Sequence, residues 1–176
     1  MKKRITVFGS AFPKEGEKEY DTAYHLGKLL AQKGFDVNTG GYAGIMEAVS
    51  KGVTENGGNA TGVTLSYIKS KPNEFLTEII PCNTLFERIT KLIELGDAYI
   101  VLQGGTGTLL ELAAVWEYLN KNLVEPKPVA CHSPMWKEIG ETINKQLKRE
   151  GRDTNRVSFF DDIEEMVEFV VRNLQS

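Results

Sequence analysis

The sequence has little cysteine, no long apolar run and no concentration of positive charge, and each shortage removes a class of function. Only Cys82 and Cys131 occur among 176 residues, without a second thiol or a histidine at metal-ligand spacing. Neither a disulfide framework nor a structural zinc site is expected, so both thiols read as structural and the setting as a reducing cytoplasm. The opening Met-Lys-Lys-Arg-Ile-Thr-Val-Phe is too poor in apolar residues for a secretory signal, and no stretch has the roughly 18 apolar residues of a membrane span. The net charge is −3 and the longest basic cluster is Lys2-Lys3-Arg4. A nucleic-acid partner is disfavoured, because a phosphate backbone is met by a spread of Lys and Arg. A small anion held locally is compatible with that charge.

Several catalytic patterns are also missing. There is no G-x-G-x-x-G and no G-x-x-x-x-G-K-[ST], which argues against an ordinary dinucleotide site and against an NTPase built on a P-loop lysine. Ser10 and Ser133 lie outside any G-x-S-x-G elbow, which disfavours a serine hydrolase. His25 and His132 have no ligand partners at metal spacing, and His25 reads as a face residue of the first helix, so no metal and no organic cofactor is implied.

What is present is ordinary globular composition, 41% hydrophobic and 26% charged. A chain of this length can form a single domain, residues 1–176, that buries roughly 70% of its unfolded surface. Short runs rich in β-branched residues at 4–9, 35–39, 60–65, 78–81, 98–103, 128–131 and 156–159 alternate with helical periods at 17–33, 43–56, 84–95, 108–121, 135–149 and 161–174. This alternation predicts a Rossmann-like three-layer α/β/α fold with a mostly parallel sheet of six or seven strands. The run Ala98-Tyr99-Ile100-Val101-Leu102 is apolar on both faces and predicts the middle of that sheet. The segment Ser66–Phe75, with Lys69, Lys71 and Pro72, lacks a period; it is either a loop over the carboxyl edge, where such folds bind ligands, or a plain solvated connection.

Three strands end in small residues and lead into helices: Phe8-Gly9-Ser10, Thr39-Gly40-Gly41-Tyr42-Ala43-Gly44 and Gln103-Gly104-Gly105-Thr106-Gly107-Thr108. In a parallel sheet these turns share one edge. Glycine removes the Cβ that would block close approach, and a helix amino terminus offers unpaired N–H groups with a partial positive charge. The hydroxyls of Ser10, Thr106 and Thr108 can add donors. One such turn serves tight packing as readily as a ligand, but three together predict a mononucleotide phosphate held by Gly9, Ser10, Gly40, Gly41, Gly44, Gly104, Gly105, Thr106, Gly107 and Thr108.

Two charged residues admit a structural and a functional explanation. Thr108 and Glu111 have the T-x-x-E spacing of a capping box, yet the carboxylate also lies one helical turn from the phosphate turn, where it could stabilise charge on a sugar or orient a water. Arg88 lies on a helix whose core stripe reads as Leu85, Leu92 and Leu95, which puts the arginine on another face, paired with Glu87 or Asp97 for about 0–1 kcal/mol. Trp116, Tyr118 and Trp136 read as core or subunit contacts. Val115 and Leu119 read the same way.

These residues resemble the LOG family, whose members hydrolyse nucleoside 5′-monophosphates such as cytokinin ribotides to free base and ribose 5-phosphate. The family's PGGxGTxxE signature is similar to Gln103-Gly104-Gly105-Thr106-Gly107-Thr108-Leu109-Leu110-Glu111. Its ERK…DAFI segment resembles Glu87-Arg88-Ile89 followed by Asp97-Ala98-Tyr99-Ile100. Its FxGSS and GGGxxGLMG stretches resemble Phe8-Gly9-Ser10 and Gly40-Gly41-Tyr42-Ala43-Gly44-Ile45-Met46-Glu47. The resemblance implies Arg88 and Glu111 as the catalytic pair, Met46 beside the nucleotide, purine nucleoside 5′-monophosphates as substrates, and a homodimer or higher homo-oligomer. Gln103 stands where the motif has proline, Ile89 where it has lysine, and Glu47 where it has glycine. The wording around Glu47 is closer to a sister branch often described as molybdenum-cofactor carriers, which implies a non-catalytic binding protein as the alternative. Relatives have also been called lysine decarboxylases, but nothing here marks a lysine for pyridoxal phosphate chemistry.

Overall fold

A computed structural model describes residues 2–132 and 134–175, so Ser133 lies outside the described residues. The elements run β1 (Arg4–Phe8), α1 (Lys18–Gln32), β2 (Asp36–Thr39), α2 (Ile45–Thr54), β3 (Ala60–Leu65), β4 (Glu78–Cys82) and α3 (Leu85–Leu95). They continue β5 (Ala98–Val101), α4 (Thr106–Asn120), β6 (Val129–His132), α5 (Pro134–Arg149), β7 (Ser158–Phe160) and α6 (Ile163–Gln175). All seven strands join one sheet in the order β4-β3-β2-β1-β5-β6-β7, and every pairing is parallel. This is the Rossmann-like three-layer α/β/α arrangement.

Strand alternation assigns the two cores. Ile5, Val7, Val37, Ala98, Ile100 and Leu102 face one layer, where α1, α2 and α6 supply Leu26, Leu30, Val49, Met166 and Val170. Phe8, Val63, Tyr99 and Val101 face the other, where α3, α4 and α5 supply Ile89, Leu92, Leu112, Trp116 and Trp136. Side chains of successive residues point to opposite faces of a strand, so β1 and β5 feed both layers, and β5 reads as a continuous apolar run. The strand at the centre is β1, with β5 beside it. The expectation that residues 98–102 occupy the middle is off by one place: β1 carries Arg4 and Thr6 and so reads as less apolar than β5, and only the pairing order puts it at the centre.

Val115, Trp116 and Leu119 are buried within the chain itself, and so is Trp136, whose Nε1 donates to the Leu102 carbonyl at 2.9 Å. The apolar residues that α3 and α4 leave exposed are instead Leu85, Phe86, Leu109 and Leu110. His25 lies on α1 as expected and meets the Glu164 carboxylate at 2.8 Å. Among the described residues no helix is long and apolar enough to cross a membrane.

The strand order reverses direction between β1 and β5, since β1 leads outward to β2 while β5 leads outward to β6. In open parallel sheets the carboxyl ends on either side of such a reversal leave a crevice that suits ligands. Here that edge carries the turns after β1 and β5, joined by a hydrogen bond from Ser10 N to the Gln103 carbonyl at 2.9 Å.

Candidate functional site

The three glycine turns come together at this edge. The turn after β1 is tied to the start of α2, since Ile45 N donates to the Ser10 carbonyl at 2.8 Å. Gly44 has φ +71, and a Cβ there would lie 2.5 Å from the Ser10 carbonyl oxygen, so only glycine lets the second turn close on the first. The turn after β5 opens α4 with Gly105 at the cap position. Thr106 and Gly107 are exposed, and a Cβ at Gly105 or Gly107 would meet nothing within 4 Å. Free N–H groups at that helix start therefore face open space.

Thr108 and Glu111 do not form a capping box. Helix α4 begins two residues earlier than expected, at Thr106, and its cap has no side-chain hydrogen bond. Thr108 is buried against Gly104. The T-x-x-E spacing that does cap a helix is Thr84-Leu85-Phe86-Glu87, where Thr84 Oγ1 accepts from Glu87 N at 3.1 Å and Glu87 Oε2 accepts from Asn83 N at 2.7 Å.

With the cap role gone, Glu111 points inward to Arg88. Arg88 NH1 donates to Glu111 Oε1 at 3.2 Å, and both residues are only 8% exposed. Arg88 Nε donates to the Val63 carbonyl at 2.7 Å, which fixes the guanidinium at the carboxyl end of β3. The expectation that Arg88 sits off the core stripe on the surface is overturned. It lies with Ile89, Leu92 and Ile93 on the buried face of α3, since positions three and four apart share a face, and Leu85 is the member left exposed. Its proposed surface partners are occupied elsewhere, Glu87 at the cap and Asp97 accepting from Arg4 N at 2.7 Å.

Gly40 explains why the arginine fits. A Cβ at Gly40 would lie 1.9 Å from an Arg88 nitrogen and 2.5 Å from Met46 Sδ. The guanidinium thus packs on bare backbone of the second turn, with the Met46 thioether beside it. Burial pushes the Glu111 carboxyl up to about 7, against the opposing pull of the Arg88 charge and hydrogen bond. A carboxyl in that range carries or releases a proton near neutral pH, as a general base requires.

Two residues that the sequence reading did not single out hold this turn in place. Tyr42 donates through its hydroxyl to the Leu65 carbonyl at 3.3 Å and accepts from Leu65 N at 2.8 Å. Asn73 donates from N to the Gly41 carbonyl at 2.9 Å and from Nδ2 to the Tyr42 carbonyl at 3.0 Å. The Ser66–Phe75 segment is therefore anchored to the second glycine turn, while residues 66–72 between the anchors are exposed. Glu47 turns away from the site and accepts from the Tyr20 hydroxyl at 2.9 Å, bracing α2 against α1. No local pattern signals these clamps, because each joins segments more than 20 residues apart.

Glycine-tipped turns on the carboxyl edge of a parallel sheet, with a buried arginine–glutamate pair behind them, define the class as a Rossmann-like α/β protein. Within it, the chain belongs to the SLOG cluster4 family, which residues 2–166 match. It is 32% identical over 123 residues to the cytokinin riboside 5′-monophosphate phosphoribohydrolase of Rhodococcoides fascians, covering 66% of this chain and 62% of that protein. It is 35% identical over 133 residues to the cytokinin riboside 5′-monophosphate phosphoribohydrolase LOG of Oryza sativa subsp. japonica, covering 72% of this chain and 53% of that protein. The chain thus spans between about half and just under two-thirds of the length of these relatives. Among solved structures, it is similar in fold to the molybdenum cofactor carrier protein of Chlamydomonas reinhardtii, with a TM-score of 0.80, 23% identity and 100% of both chains covered. The molybdenum cofactor binding protein of Rippkaea orientalis gives a TM-score of 0.78 at 24% identity, over 100% of this chain and 99% of that one.

Proposed function

We propose that the protein is a cytoplasmic hydrolase that cleaves the N-glycosidic bond of purine nucleoside 5′-monophosphates, AMP or cytokinin ribotides, into free base and ribose 5-phosphate. The observation that carries this reading is the buried Arg88–Glu111 pair, with its carboxyl raised to about 7, one turn along the helix whose start is open to a phosphate. The names of the curated relatives agree with it.

In this reading the amides at Gly105, Thr106 and Gly107, with the Ser10 hydroxyl, hold the 5′-phosphate, and the binding energy of that group fixes the ribose against Glu111. Breaking the bond between C1′ and the base nitrogen sends the electron pair to the base and leaves oxocarbenium-like charge on the sugar. Ionised Glu111 stabilises that charge and takes a proton from the water whose oxygen bonds to C1′, while the departing base takes a proton from solvent. Arg88 orients the carboxylate. The exposed Leu85, Phe86, Leu109 and Leu110 on the adjoining α3 and α4 support a homodimer through this face.

Incubating the protein with AMP and N6-substituted AMPs and separating the products by chromatography tests the activity. Free base should appear, with kcat rising as pH is raised through about 7, and Glu111→Gln should lower kcat by at least about 100-fold. Normal turnover by that variant would remove Glu111 from the mechanism. A second reading, carriage without cleavage, draws on Glu111 being already engaged by Arg88 and on the names of the structural neighbours. It is adopted instead if nucleotides raise the melting temperature by mass action and no base is released.

A further inference from the structure

The amino edge of the sheet, opposite the glycine turns, carries a cleft of 300 Å³ that shares no residue with the candidate site. It lies where β6 and β7 begin, between the carboxyl-terminal parts of α4 and α6. Leu119 and Phe169 give it apolar walls, while Lys127, Asn155, Arg156 and Ser158 give it polar ones. No aspartate or glutamate lines it.

The polar groups of this cleft are poorly satisfied by the protein itself. Arg156 has a side chain only 27% exposed, and its contact is an ion pair with the Asp153 carboxylate at 3.1 Å. Its Nε is buried without a hydrogen bond, and among the described residues its other N–H groups make none either. The Ser158 hydroxyl and the Asn155 side-chain amide are likewise without hydrogen-bond partners among the described residues. Lys127 donates to the Gly96 carbonyl at 2.6 Å and stands over the Tyr99 ring. Burial holds its amine below the usual lysine range, against the pull of Asp97. Donors that have lost water and found no acceptor cost free energy until an acceptor arrives.

We infer that this cleft binds a small organic anion, a monocarboxylate with an apolar or aromatic body. Its carboxylate oxygens accept from the Arg156 guanidinium, the Ser158 hydroxyl and the Asn155 amide, with the Lys127 ammonium beside them. Its body packs on Leu119 and Phe169. Charge fixes the valence. Asp153 neutralises one of the two cations, which leaves a single positive charge in the cleft. The carboxyl ends of α4 and α6 point to the same edge with partial negative charge. A dianionic phosphate is therefore repelled where a monoanion is held. The volume suits a ligand at the small end of those that protein pockets take.

Calorimetric titration of the full chain with phenylacetate, phenylacetamide, acetate and inorganic phosphate tests this. Phenylacetate should bind with a Kd below about 1 mM, and each of the other three at least about tenfold more weakly, since each lacks the charge, the body or the right valence. Arg156→Gln should weaken phenylacetate at least about tenfold with a melting temperature close to wild type, because a part-exposed ion pair contributes little to stability. Ser158→Ala, which removes only a hydroxyl without a partner, should weaken it as well and serves if the arginine variant does not fold. Saturating AMP should leave the phenylacetate affinity unchanged. The inference is overturned if phenylacetate does not bind at about 10 mM, if phenylacetamide binds as well as it does, if both variants keep full affinity, or if AMP displaces it. In the first of these cases the two cations serve only the carbonyl ends of the neighbouring helices.

Discussion

Removing the charge at residue 111 should change how stability depends on pH, by an amount set by the burial of that carboxyl. In the folded chain the Glu111 carboxyl is raised from 4.5 to about 7, chiefly because burial disfavours its ionised form. Below pH 4.5 both folded and unfolded chains hold the proton. Between 4.5 and 7 the unfolded chain has lost it and the folded chain has not, so folding loses stability as pH rises; above 7 the loss is complete. Each pH unit of that window is worth about 1.4 kcal/mol, which gives about 3 kcal/mol in total, most of it lost between pH 5 and pH 8. Glu111→Gln keeps the shape and a hydrogen-bond acceptor for Arg88 but does not titrate. Every other ionisable group is common to both proteins, so the difference between them isolates this one. Thermal melts followed by circular dichroism at pH 5 and pH 8 should show the variant gaining on wild type by roughly 5–10 °C across that range, at about 2–4 °C per kcal/mol for a chain of this size. A difference that stays constant with pH would refute the raised carboxyl, and with it the general-base role. A variant that loses ground as pH rises would mean that the attraction of Arg88 outweighs the cost of burial.

Two further perturbations check the geometry around the pair. Gly40→Ala places a methyl 1.9 Å from the Arg88 guanidinium, and the forced shift should cost about 1–3 kcal/mol in urea unfolding and reduce AMP turnover; full stability and activity would show that the arginine does not depend on this close approach. Thr84→Ala removes the acceptor for Glu87 N and should cost about 1 kcal/mol with little effect on catalysis, whereas Thr108→Ala should show no cap loss, because α4 is not capped by that residue.

The two T-x-x-E patterns mark where sequence reading reached its limit. Thr84 to Glu87 and Thr108 to Glu111 have the same spacing and the same local chemistry. One caps a helix and the other does not, because α4 begins earlier, at Thr106, and the turn of helix that carries Glu111 faces another helix instead of its own cap. Arg88 misled for a related reason. It belongs to the same stripe as Leu92, but a charged residue on an apolar stripe reads as surface until a buried carboxylate and a free carbonyl are seen waiting for it.

Local pattern was sufficient for the order of strands and helices, for a Rossmann-like sheet and for three glycine turns on one edge, because hydrophobic period and turn chemistry act over a few residues. Strand order, the central place of β1, the pairing of Arg88 with Glu111, and the clamps made by Tyr42 and Asn73 were decided only by the tertiary structure. Each joins segments far apart in the chain, and burial, which gives Glu111 its raised carboxyl, does not exist until those segments pack.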